Sequence, residues 1–366
     1  MKTPVCLSAF LTILSACGGN GDTNDGAVPV TEDTLTVTDT VGVLMGDSCY
    51  MFGSIVSAEA LPGGGAVLMD RRTGLISTFD GNGEFISSFG GLGEAPGEFN
   101  LPGSMTLLGD GRIAAMDWRD MEVCFFDLTG EYLGCRGNMG SEMPLSMSAA
   151  GDSCFITYSC PSRQMEDTWQ MGYELSVWEG TSDEPRSIPF RHLFQFGEEE
   201  FDFRPGYIAM AGGSDERLYI HRMNSDQYVI EILDLDGNPV DSIVGESSEA
   251  DWEDMDRYPY MPVAIFAVQI DDEMQQLQGD LTEAPPQVER LGVDSTGNIW
   301  ARRGNDPGFE WDVFSSDGVL LKRVTMTALP DTSMVVVNVN RFGAVAYDLG
   351  PEDYPKVYLL SFGDEE

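Results

Sequence analysis

The sequence predicts an all-β fold: a six-bladed β-propeller of four-stranded antiparallel blades, its ring closed by pairing of the N- and C-terminal strands. Three observations lead there. Phe79-Asp80-Gly81-Asn82-Gly83-Glu84-Phe85 returns as Phe126-Asp127-Leu128-Thr129-Gly130-Glu131-Tyr132, with weaker copies at Leu233 to Gly237 and Phe314 to Gly318. Each copy is an apolar run, a turn of Asp, Asn, Ser and Gly, and a second apolar run, which is the pattern of a β-hairpin. The copies recur at about 40–50 residues, the spacing of a repeat architecture. Two further β-rich runs precede each hairpin, so each repeat has four strands.

The repeats run in order along the chain. In the first, Ile55 to Ala58 leads through Pro62-Gly63-Gly64-Gly65 to Ala66 to Met69 and then the Asp80 hairpin. The second has Met105 to Leu108, Gly109-Asp110-Gly111, Ile113 to Met116 and the Asp127 hairpin. The third begins at Leu145, turns at Gly151-Asp152, runs through Phe155 to Tyr158 and Tyr173 to Trp178, and ends near Phe190. The fourth comprises Tyr207 to Met210, a turn at Gly212 to Glu216, Leu218 to Ile220, and Tyr228 to Val244. The fifth comprises Leu291 to Val293, Ile299 to Ala301 and Trp311 to Val324. The sixth offers only Met334 to Val337, Gly343 to Ala346 and Lys356 to Phe362. Leu35 to Leu44 and Ser48 to Phe52 are β-rich and belong to no other repeat, so they can supply the missing strand and close two open sheet edges.

Composition agrees. The 366 residues are 42% hydrophobic and 10% aromatic, enough for a core, and 42 glycines suit many tight turns. The formal charge is −41, with lysine only at positions 2, 322 and 356. Such a chain repels nucleic acid and anionic membrane surfaces. The acids are spread along the whole chain, which points to surface hydration rather than a dedicated cation site.

The N-terminus reads as a processing segment. Lys2 precedes a short apolar stretch, Val5 to Leu14, and then Leu14-Ser15-Ala16-Cys17. This resembles the lipobox of bacterial lipoproteins, which implies a signal peptide over residues 1–16 and lipid attachment at Cys17. The alternative is an ordinary secretory signal cleaved near Ala16. Residues 17–38 read as a flexible tether and 39–366 as the propeller. No later stretch reaches about 18 apolar residues, so the expected membrane contact is through the lipid alone. Five cysteines remain, at 49, 124, 135, 154 and 160, in a compartment where disulfides form. Cys124 and Cys135 flank one hairpin and face each other in one register but not in the next. Cys154 and Cys160 are too far apart to pair along an extended strand. With His192 and His221 the only histidines, a His-rich metal site is excluded.

Phe89-Gly90-Gly91-Leu92-Gly93-Glu94-Ala95-Pro96-Gly97-Glu98-Phe99, then Pro102, the turn before Ile113, Asp117 and Phe126-Asp127-x-x-Gly130 resemble an NHL repeat. The whole is similar to bacterial six-bladed propeller lipoproteins of the NHL/TolB-like kind. The likeness is densest over residues 54–140, patchy over 141–246 and weaker after 288. Arg71 and Trp118 stand where that motif usually has Asn. Residues 245–287 break the rhythm as an insertion between the fourth and fifth blades. It is acidic at first, and Ile265, Phe266, Ile270, Met274 and Leu277 have helix-compatible spacing.

Chain reversal places the loops between second and third strands on one face, with the crossovers between blades, and the other turns on the opposite face. The 2–3 loops carry Asp70-Arg71-Arg72, Asp117-Trp118-Arg119-Asp120, Arg163, His221-Arg222 and Arg302-Arg303. The opposite turns carry Asp80, Glu84, Asp110, Asp127, Glu131, Asp152, Asp215, Asp236 and Asp317. Arginine suits carboxylate and phosphate. The candidate ligand-binding residues are therefore Arg71, Arg72, Trp118, Arg119, His221, Arg222, Arg302 and Arg303; pairing of these arginines with neighbouring acids is the competing account. No Gly-x-Ser-x-Gly elbow is present, and neither histidine belongs to a recognisable acid–base set. The resemblance implies a second option, a metal-dependent hydrolase or lyase with its site at the channel mouth. Asp70, Asp117, Asn224 and Asn305 are its candidate ligands, and a divalent cation its one cofactor. The reading is an exported, lipid-anchored, monomeric propeller of the bacterial cell envelope, at the outer membrane or in the periplasm. It binds a protein, peptide or small anionic ligand on the 2–3 loop face, with no catalytic residues and no cofactor.

Overall fold

The computed structural model describes residues 29–137, 142–165, 169–180, 182, 184–195, 202, 204–251, 253, 266–270, 273–277, 282–306, 310–329, 335–349 and 354–362. Segment 1–16, Cys17 and Met334 lie outside them.

The fold is an all-β propeller. Thr31–Val41 is β1. Four separate four-stranded antiparallel sheets follow. The first is Ile55–Ala60, Ala66–Asp70, Leu75–Phe79 and Phe85–Gly90 (β2–β5). The second is Pro102–Leu107, Ile113–Asp117, Glu122–Phe126 and Tyr132–Arg136 (β6–β9). The third is Glu142–Ala150, Cys154–Gln164, Trp169–Glu179 and Ser187–Gln195 (β10–β13). The fourth is Ile208–Gly212, Arg217–Arg222, Val229–Asp234 and Pro239–Val244 (β14–β17). Phe266–Ile270 and Glu273–Leu277 (β18, β19) form a hairpin of their own. The remaining strands are Val288–Val293, Ile299–Arg303, Trp311–Phe314 and Leu320–Thr327 (β20–β23), then Val335–Asn340, Gly343–Asp348 and Val357–Phe362 (β24–β26). With β1 they form one eight-stranded sheet, in the order β20-β21-β22-β23-β1-β26-β25-β24.

The turns explain why the repeats fold locally. Asp80 Oδ1 accepts the N–H groups of Asn82 and Glu84, and Gly83 takes φ +73° to close the turn. Asp127 does the same for Thr129 and Glu131 with Gly130 at φ +89°. Asp234 and Gly237 repeat the device, and Ser315 with Gly318 is a weaker version. A short polar side chain that caps two N–H groups, followed by a residue free to adopt positive φ, is a turn signal with a mechanism.

The first strands β2, β6, β10, β14, β20 and β24 touch in that order, and β24 returns to β2. Apolar side chains fill the space between successive sheets. Phe99 and Phe126, both buried, pack with ring centroids 5.9 Å apart between the first two sheets. Tyr158 stacks on Tyr173 and donates its hydroxyl to the Gly206 carbonyl at 2.7 Å. Burial of each such side chain contributes about 1.5–3 kcal/mol.

Four expectations are corrected. The tether does not extend to residue 38, because β1 already begins at Thr31. That stretch looked like a linker because it is polar, and it is polar because it lies between two outermost strands. It pairs antiparallel with β26 and parallel with β23, and Lys322 Nζ meets Asp33 Oδ2 at 3.0 Å. The parallel pairing also fuses what were expected to be two separate sheets into one. Ser48 to Phe52 is not a strand: Ser48–Tyr50 is a 3-10 turn capped by Asp47, which accepts the Cys49 N–H. Ile265 lies outside the described residues, and the described part of the helix-compatible run in the insertion is β18 and β19. Phe266, Val268 and Ile270 also alternate with period two, and a short apolar run satisfies both periods.

Candidate functional site

Asp70 and Asp117 end the second strands of the first two sheets and are almost fully buried. Asp70 accepts hydrogen bonds from the N–H groups of Gly53, Ser54 and Arg72 and from the Thr73 hydroxyl. Asp117 accepts from the N–H groups of Asn100, Leu101, Arg119 and Asp120. Each carboxylate ties the entering crossover to the 2–3 loop, and its lone pairs are spent on that tie. Asn305 Nδ2 donates to Ser248 and to Gln287 Oε1, which anchors the base of the insertion. Asn224 is exposed beside a hollow of about 720 Å³ at that base. These four residues do not converge, and they do not fit a divalent cation. Among the described residues, Glu122, Cys124 and Cys135 form the one close grouping of three candidate metal ligands, and its two sulfurs are joined as a disulfide. The pairing of Cys124 with Cys135 follows from their direct opposition on β8 and β9.

The 2–3 loop arginines divide into tied and open groups. Arg302 meets Glu289 at 2.7 Å with both side chains buried, and Arg303 Nη2 meets Asp312 Oδ2 at 2.8 Å. Arg222 Nε lies 2.8 Å from Glu231 Oε1. Arg71 Nε donates to the Pro102 carbonyl, and its guanidinium sits 4.5 Å over the Trp118 ring. Arg72, Arg119 and Arg163 are exposed. His221 is fully buried. Its Nδ1 donates to the Val229 carbonyl at 2.9 Å, while Nε2 accepts the Val288 N–H at 3.3 Å. That arrangement requires a neutral ring, and burial pushes the imidazole down to about 4, with the Val229 bond and Glu231 opposing. It joins two sheets and faces no cavity.

A different set of residues lines a cavity of about 130 Å³ along the propeller axis. It is built from the first strands, whose alternation turns every second side chain toward the axis. β2 supplies Ser57 and Glu59, β6 Ser104 and Thr106, β10 Ser146 and Ser148, β20 Arg290, and β24 Asn338 and Asn340. β14 contributes an apolar wall with Met210. Glu59 is buried, accepts the Asn340 amide at 2.7 Å on Oε2, and takes a longer contact from Thr106 on Oε1. Burial pushes its carboxyl up to about 7, against the pull of Asn340, Arg290 and Thr106. The cavity extends to the turns between first and second strands at Gly151, Gly213 and Arg341, where Arg341 Nη1 meets Asp152 Oδ1 at 2.7 Å.

None of the residues expected to form a site lines this cavity. It lies at the other end of the axis from the 2–3 loops, on the side of the acidic turns. The sequence does contain its signal: Ser57-Ala58-Glu59, Ser104-Met105-Thr106, Ser146-Met147-Ser148 and Asn338-Val339-Asn340 are polar at every second place in otherwise apolar first strands. A core strand carries no such alternation unless one face meets water or a ligand.

No known family profile matches the chain, and neither does any curated protein sequence. Solved structures do. The chain is similar to a member of the DUF4221 family from Bacteroides vulgatus, with 13% identity, 92% of this chain and 99% of that one covered, and a TM-score of 0.52. A candidate exported protein from Bacteroides fragilis aligns over 92% of this chain and 99% of its own, with 10% identity and a TM-score of 0.45. A gluconolactonase from Xanthomonas campestris aligns over 85% and 88%, with 12% identity and a TM-score of 0.42. At such identities a likeness is one of fold alone, and the chain is a β-propeller by its strand order.

Proposed function

We propose that this chain is an exported, lipid-anchored six-bladed propeller of the NHL/TolB-like kind that acts as a monomeric binding protein of the bacterial envelope, with a small polar ligand seated in the axial cavity. The observation that carries the ligand seat is the ring of inward Ser, Thr, Asn, Glu and Arg side chains on five first strands. A scaffold without a ligand has no need of them, since apolar residues would fill the axis at lower desolvation cost. The six-blade count rests on the closed cycle of first strands, with the eight-stranded sheet taken as two blades fused by β1. Export is supported by the leader-like N-terminus and by the Cys124–Cys135 disulfide. The charge of −41 argues against nucleic acid as the partner. The metal-dependent hydrolase reading loses its support with Asp70 and Asp117, whose oxygens are occupied by backbone donors.

Two experiments test this. Cys17→Ala should move the protein from the membrane to the soluble envelope fraction, and unchanged fractionation would refute the anchor. A small-metabolite extract should raise the melting temperature of the wild-type protein but not of Ser104→Phe, which fills the cavity. Arg72→Ala with Arg119→Ala should leave the shift intact. Loss of the shift in the arginine variant alone would return the site to the 2–3 loop face.

A further inference from the structure

The charges around the axial cavity narrow its ligand, on the reading that the axis is the ligand seat. Two carboxyls and two guanidiniums line it: Glu59, Glu289, Arg290 and Arg341. Each is already engaged. Glu289 meets Arg302 at 2.7 Å with both side chains buried, and Arg341 meets Asp152 at 2.7 Å at the mouth. Glu59 accepts the Asn340 amide and the longer Thr106 contact, with Arg290 acting on it through space, and Arg290 has its own partner. The formal charges of the four lining groups cancel, so a charged ligand would give up its hydration without an unmatched ion to meet.

The hydrogen-bonding capacity that remains is neutral. Ser104 is 7% exposed and lines the cavity, and among the described residues its hydroxyl has no partner. The same holds for the hydroxyl of Ser146 on the neighbouring first strand. Asn338 uses its Nδ2 on the Ala58 carbonyl and keeps its oxygen as an acceptor, while Ser57 donates to the Met105 carbonyl and keeps its lone pairs. These groups stand on β2, β6, β10 and β24, and β14, across the ring from β2, presents Met210. A buried hydroxyl without a partner is costly, so the seat calls for a group that both donates and accepts. Volume sets the scale. At about 30 Å³ per water in the liquid, a cavity of about 130 Å³ has the room of about four waters.

We infer that the axial cavity binds a small uncharged polyol, of glycerol or erythritol size, with its hydroxyls on Ser104, Ser146, Asn338 and Glu59 and its C–H edge against Met210. A polyol hydroxyl donates and accepts at once, so one group can satisfy a serine hydroxyl and an amide oxygen together. An anion meets the acidic face first and is turned away. A cation is drawn toward that face, yet inside it finds both carboxyls engaged. A hexose exceeds the room of about four waters.

The experiment is saturation-transfer NMR on the full exported chain at pH 7, with glycerol, erythritol, glucose, propylamine and propionate as probes. Erythritol and glycerol should compete for one seat and bind about tenfold more tightly than propylamine or propionate. Ser104→Ala, which removes one hydroxyl and little volume, should weaken erythritol about fivefold, and Ser104→Phe should abolish its binding. Tighter binding of glucose, propylamine or propionate would overturn the small-polyol assignment while leaving the axial seat in place. Erythritol binding that both Ser104 variants leave unchanged would overturn it too, because the polyol would then sit elsewhere. No binding of any of these compounds to folded wild-type protein would also overturn it, and the metabolite-extract shift would then decide whether the seat itself survives. If Ser104→Phe does not fold, Ser104→Ala alone decides: an unchanged affinity for erythritol would refute the contact.

Discussion

The Asn340 side-chain amide donates to Glu59 Oε2 at 2.7 Å, joining the last first-strand of the chain to the earliest across the seam of the propeller. The bond does two things. It fastens β24 to β2, and it holds a buried carboxyl with its face to the axis.

Glu59 binds its proton more tightly folded than unfolded, so its contribution to stability is present at low pH. It is lost as pH rises from about 4.5 through about 7, by about 3 kcal/mol. Glu59→Gln keeps the bonds and removes the titration. The stability difference between variant and wild type, from urea unfolding at pH 4.5 to 8, should shift in favour of the variant by that amount as pH rises. A constant difference would mean that Glu59 titrates alike in the folded and unfolded chain.

His221 acts with the opposite sign. Its folded value of about 4 lies below the ordinary 6.5, so its contribution is full above 6.5 and is lost as pH falls toward 4, again by about 3 kcal/mol. The imidazole resonances of His221 should not titrate between pH 8 and pH 5. His221→Phe should cost about 2–4 kcal/mol at pH 7, because it leaves the Val229 carbonyl and Val288 N–H buried without partners.

The tied and open arginines should separate cleanly. Arg302→Ala strands Glu289 in the interior and should cost about 3–5 kcal/mol. Arg72→Ala and Arg119→Ala, at exposed positions, should each stay within about 0.5 kcal/mol. Denaturant midpoints at constant slope decide this.

Reduction of the Cys124–Cys135 disulfide closes no long loop, since the residues are 11 apart. The loss should be about 2–3 kcal/mol, and the protein should remain folded at 25 °C. Unfolding on reduction would mean that the second blade depends on the bond for its register.

What was legible in the sequence was what is local. The Asp80 and Asp127 turns are decided within four residues by one side chain and one glycine, so the hairpins and their period could be read from residue order. So could the sorting of loops onto two faces, which depends only on chain reversal. The tertiary structure alone decided which groups meet. Arg302 and Arg303 looked like a binding surface until their buried partners Glu289 and Asp312 were in place. Residues 31–38 looked like a tether until β23 and β26 flanked them. Glu59 and Asn340 stand 281 residues apart, and no local rule brings them together. Closing the ring does, because the inward face of every first strand then shares one axis, and a carboxyl ordinary in sequence becomes a buried group poised near neutral pH.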